Sequence, residues 1–62
     1  MCLSKAWYGA ENSGEAIMEN IAKIRTENNK VILRSLFGEE KVEKATVKEV
    51  DFTRSYIILK RE

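Results

Sequence analysis

Glu15-Ala16-Ile17-Met18-Glu19-Asn20-Ile21-Ala22-Lys23-Ile24-Arg25-Thr26 decides the fold, because this stretch satisfies two templates at once. Ile17, Ile21 and Ile24 recur at helical spacing, and Asn12 or Ser13 can cap a helix that begins near Glu15. The competing reading is two short strands, residues 15–18 and 21–26, separated by a kink at Glu19-Asn20. Local propensity favours the helix, and the residues of this stretch do not choose between the two readings by themselves.

The flanks are strand-like. Asn28-Asn29 lies between Ile24-Arg25-Thr26-Glu27 and Lys30-Val31-Ile32-Leu33-Arg34. Asparagine tolerates the positive φ that a two-residue type I′ turn needs at both central positions, so a hairpin is expected there. Residues 30–35 are β-branched and apolar, and Gly38 supplies a bend after them. Upstream, residues 2–8 alternate roughly, with Leu3, Lys5 and Trp7 on one side, which predicts a first strand. Residues 9–14 are turn formers and predict a loop.

Further along, the alternation through Val42, Ala45, Val47, Val50 and Phe52 slips register twice, as a bulge in one long curled strand would cause. Thr53-Arg54-Ser55 turns the chain into Tyr56-Ile57-Ile58-Leu59-Lys60. That strand is apolar on both faces and predicts a central or interfacial position. Five to seven short strands in one domain over residues 1–62 suggest a small barrel or curled sheet.

Composition restricts the function. A domain of 62 residues buries only about 60% of its unfolded surface, and a single cysteine excludes an internal disulfide. Association or a metal is left to support the fold, and the doubly apolar strand adds to the expectation of a homodimer. Eleven basic and ten acidic residues, net charge +1, are not the footprint of a protein that neutralises many phosphates, so nucleic acid is disfavoured. No apolar run approaches the roughly 20 residues of a membrane span. The first residues lack a signal peptide's pattern, which also argues against a lipoprotein role for the cysteine. A lone thiol then points to the reducing cytoplasm.

The chemistry concentrates in Met1-Cys2, where the sole thiol stands beside the α-amine. If Met1 stays, its amine, the Cys2 amide nitrogen and the Cys2 thiolate form fused five-membered chelate rings around a metal. If Met1 is removed, the new amine and the thiolate still form one. Nitrogen and sulfur donors in a plane suit Ni(II) or Cu(II), whereas tetrahedral zinc needs more side-chain ligands than the chain offers. The plain alternative is that Cys2 is a small buried hydrophobe at a strand start. A nucleophilic role for an N-terminal cysteine has no histidine to support it, and so short a chain has little room for a substrate cleft. Trp7, Tyr8, Phe37, Phe52 and Tyr56 offer either a base-stacking platform or, more commonly, core and interface.

Five segments together resemble the CooT family: Met1-Cys2-Leu3-Ser4-Lys5-Ala6, Met18-Glu19-Asn20-Ile21-Ala22, Leu36-Phe37-Gly38-Glu39-Glu40-Lys41, Val47-Lys48-Glu49-Val50-Asp51 and Ile57-Ile58-Leu59. These are small nickel-binding accessory proteins associated with maturation of the nickel-containing carbon monoxide dehydrogenase. The resemblance runs over nearly the whole chain, and the Met-Cys start is its most distinctive part. It implies an all-β homodimer that binds Ni(II) through Cys2, and it implies strands over residues 15–26 against local propensity, as tertiary context permits.

The expectation is therefore a non-enzymatic, cytoplasmic nickel metallochaperone with Met1 and Cys2 as metal ligands and a nickel enzyme as client. Ligand arithmetic adds a shared site: a two-fold axis near two N-termini supplies two thiolates and up to two amines, giving one nickel per dimer. The rival reading is a small-barrel interaction module for RNA or protein in which Cys2 is structural.

Overall fold

The computed structural model describes residues 3–61. Six strands form one curled sheet: β1 (Ser4–Tyr8), β2 (Met18–Glu27), β3 (Lys30–Ser35), β4 (Glu40–Glu43), β5 (Ala45–Asp51) and β6 (Tyr56–Arg61). Their order is β4-β3-β2-β1-β6-β5. Neighbours are antiparallel except β1 and β6, which run parallel from Lys5 opposite Tyr56 to Tyr8 opposite Leu59. β3 also packs against β5, which draws the two sides of the sheet together.

The ambiguous stretch is strand, and its helical spacing has a specific cause. Ile21 stands opposite Ser35, and Ile24 stands opposite Leu33, with a register shift between Ile21 and Lys23. In an unbroken strand, residues three apart face opposite sides. The extra residue at this bulge resets the alternation, so Ile21 and Ile24 both join the core formed with Val31 and Leu33. The expected kink is present as well, since Asn20 has φ 57° and the pairing of β1 with β2 shifts between Ser4 and Ala6. Two details differ from expectation. β2 is one strand and not two, and it begins at Met18 rather than at residue 15, because pairing on both sides with β1 and β3 carries it through the kink.

The Asn28-Asn29 hairpin forms as expected, with φ 39° and 64° and Glu27 opposite Lys30. The long strand expected over residues 41–52 is instead two strands on opposite sheet edges. Of the two slips in alternation, the first is the break at Lys44 between β4 and β5. The second is a bulge at Lys48: Val47 faces Leu59, Glu49 faces Ile58 and Val50 faces Ile57.

The core lies inside the curl, around Ala6, Ile21, Val31, Leu33, Ala45, Ile57 and Leu59. On the other face of β1 and β6, Trp7, Tyr56 and Ile58 form a second buried cluster with Ala16 packed against it. β6 is central, between β1 and β5, as its doubly apolar sequence implies. The cover for its second face comes from the chain's own Trp7 and Ala16, so Ile58 is buried without a partner.

Candidate functional site

The two expected metal ligands, Met1 and Cys2, lie outside the described residues. The described chain begins at Leu3. Leu3, covalently next to Cys2, leads into β1 and lines a depression of about 260 Å³ with Lys5, Trp7, Glu11, Asn12, Arg54, Ser55 and Tyr56. Three parts of the chain meet there: the start of β1, the loop after it, and the turn between β5 and β6.

That turn is built by one carboxylate. Asp51 Oδ1 accepts from the backbone N–H of Thr53 at 2.8 Å, from Thr53 Oγ1 at 2.5 Å and from the backbone N–H of Arg54 at 2.9 Å. These bonds, the Thr53 hydroxyl foremost, hold the Asp51 carboxyl below its ordinary pKa. Ser55 completes the turn at φ 58°, and its carbonyl accepts the backbone N–H of Lys5 at 3.2 Å. The start of β1 is thus tied to the turn through the main chain.

The electrostatics of the depression are mixed. Arg54 pairs with Glu11 at 2.9 Å and lies over the Tyr56 ring at 5.7 Å, close enough for a cation–π contribution. Burial, together with nearby Glu49, Asp51 and Glu11, raises the Tyr56 phenol above its ordinary value, so it stays a neutral hydroxyl. Among the described residues, no three His, Cys, Asp or Glu side chains gather as a metal would need. The nickel expectation accordingly rests on Met1 and Cys2 alone. From the sequence Arg54 and Ser55 are readable only as a turn and Glu11 only as part of a loop; the parallel pairing of β1 with β6 brings the turn beside Leu3, and the loop after β1 returns to it through the Arg54–Glu11 ion pair.

The five aromatics do not share a surface. Trp7 and Tyr56 are buried together outside the curl, while Tyr8 packs on the inner core and donates its hydroxyl to Glu43. Phe37 follows β3 and Phe52 precedes β6. Because β3, β1 and β6 run in the same direction, these two exposed rings lie at opposite ends of the sheet. No stacking platform for bases is assembled among them. The described residues contain no helix long and apolar enough to cross a membrane.

Comparison with known proteins agrees with this architecture. The family model described as "CO dehydrogenase accessory protein CooT" matches residues 1–60. A crystal structure ascribed to CooT of Carboxydothermus hydrogenoformans superposes with a TM-score of 0.84 at 28% identity, covering 98% of each chain. No curated protein matches the sequence.

Proposed function

The chain belongs to the CooT family of CO dehydrogenase accessory proteins, and from that premise we propose that it carries Ni(II) on Cys2 for the maturation of a nickel enzyme. The observation that carries this reading is the extent of the family match, which starts at residue 1 and so includes the Met1-Cys2 pair.

Donor chemistry supports it. A thiolate, its own amide nitrogen and a terminal amine form a compact set with the planar preference of Ni(II). The set leaves coordination positions open, which suits a protein that must hand its metal on. The nickel is cargo here, and the chain acts as an accessory protein in the cytoplasm.

We propose further that two copies share the metal. Phe52 is 84% exposed and precedes the turn that meets the start of β1, so an apolar side chain stands open at the end of the sheet where the two N-termini would pair. Two-fold pairing of N-termini brings two Cys2 thiolates to one ion.

Titration of the apo protein with Ni(II) tests the reading. A thiolate-to-nickel charge-transfer band that saturates at one metal per two chains, with the same stoichiometry by non-denaturing mass spectrometry, is the expected result. A protein that takes up no nickel, or shows no such band, would leave the small interaction module as the better account.

A further inference from the structure

At the end of the sheet away from Leu3, the C-terminal ends of the parallel strands β1 and β6 open onto a cavity of about 390 Å³ lined by Tyr8, Gly9, Lys48, Leu59, Lys60 and Arg61. Its volume falls within the roughly 300–1,000 Å³ range of small-ligand pockets. The floor is the Tyr8 ring and Leu59, and three cations stand around it, with no carboxylate in the lining among the described residues.

Two of those cations are held in place by the fold. The Arg61 guanidinium lies 3.9 Å from the centroid of the Tyr8 ring. Stacking of this kind satisfies the guanidinium's face and leaves its N–H donors, which all lie in its plane, pointing outward from the edge. Among the described residues, Arg61 makes neither an ion pair nor a side-chain hydrogen bond. Lys48 is the extra residue of the β5 bulge, a feature that re-aims side chains. Its ammonium reaches across to the Gly9 carbonyl at 3.3 Å, which uses one of its three donors.

Glu43, the nearby carboxylate, is engaged by the Tyr8 hydroxyl. Burial and this bond push the Tyr8 phenol up to about 12, so it adds no negative charge near neutral pH. The cations at the rim repel one another, and an anion among them would relieve that repulsion.

We infer that this pocket binds a small organic or inorganic anion through a phosphate or carboxylate group, with the Arg61 fork and the Lys48 ammonium as its ligands and the Tyr8–Leu59 floor beneath it. The fork geometry fits either oxyanion, because both present two oxygens to paired N–H donors. The inference is independent of nickel, since the pocket lies at the opposite end of the sheet from Leu3.

The test is an NMR titration of the isotope-labelled full chain with inorganic phosphate and, separately, with citrate. Saturable shifts confined to Gly9, Lys48, Leu59 and Arg61, with Kd of about 1 mM or tighter for either probe, support the site, and the probe that elicits them identifies the group it takes. Arg61→Gln should weaken binding about tenfold or more, the effect of losing one charge-assisted bond. Lys48→Gln, in an exposed side chain, should weaken it too and serves if the Arg61 variant folds poorly. Absence of saturation with both probes, shifts scattered over remote lysines such as Lys23 and Lys30, or undiminished binding in both variants would overturn the inference.

Discussion

Lys5 donates its backbone N–H to the carbonyl of Ser55 at 3.2 Å, and this bond fastens the start of β1 to the turn that Asp51 builds. The tie lies three residues from Cys2 in sequence, so the stiffness of the N-terminal entry depends on a carboxylate far away in the chain. Replacing Asp51 with Ala should loosen the turn, and amide hydrogen exchange at Lys5 should speed up while exchange at Leu33 stays slow.

The same carboxylate sets a pH dependence. Its folded pKa is lowered from 3.8, so its contribution to stability is present above the unfolded value and is lost as pH falls through the lower folded one. Thermal melts below pH 4 should therefore show a steeper acid decline for the unaltered protein than for Asp51→Asn. Equal acid slopes in the two proteins would contradict this role.

Tyr8 makes the opposite prediction at high pH. Its folded pKa of about 12 stands above the ordinary 10.0. The contribution is complete below pH 10 and disappears as pH rises through 12. Ultraviolet titration of the phenolate should place Tyr8 above free tyrosine, and Glu43→Gln should bring it down, because the carboxylate raises it both as hydrogen-bond acceptor and as charge.

The two-sided burial of β6 separates folding from association. Ile58, 1% exposed within one chain, should cost about 2–5 kcal/mol when replaced by Ala, at any protein concentration. Phe52→Ser, at a site 84% exposed, should change the stability of the single chain by no more than about 0.5 kcal/mol. The proposed pairing at the N-termini predicts that Phe52→Ser shifts sedimentation toward monomer, whereas Phe37→Ser, at the opposite end of the sheet, does not.

At the hairpin, Asn29 sits at φ 64°, a conformation that costs a β-branched residue about 1–2 kcal/mol. Asn29→Val should lower the melting temperature accordingly. Asn29→Gly should preserve it, since Asn-Gly is the preferred pair for this turn.

These residues also mark how far the sequence could be read. The hairpin, the bend at Gly38 and the central place of β6 were legible because each rests on local chemistry or on an unambiguous pattern. Ile21 and Ile24 were misleading by periodicity alone, because a single bulged residue converts strand parity into apparent helical spacing. The break at Lys44 was hidden for a related reason: a strand break and a bulge produce the same slip in alternation, and only pairing partners tell them apart. Around the candidate site, Leu3 was expected at the start of a strand. Arg54 and Ser55 were legible as a turn and Glu11 as loop, but not as its neighbours, because a parallel strand pairing and a returning loop leave no local signature.

The central claim is that Cys2 is the nickel ligand. Thiolate ligation implies that binding releases protons and weakens as pH falls. It also implies that an N-terminal extension, which turns the α-amine into an amide, weakens binding. The most direct measurement is calorimetric titration of Ni(II) into the unaltered protein and into Cys2→Ser, which exchanges the thiol for a hydroxyl of similar size. The account predicts one tight nickel per two chains for the first and none for the second, with both proteins giving the same far-ultraviolet circular dichroism. Tight, stoichiometric nickel binding by the Cys2→Ser protein would contradict it.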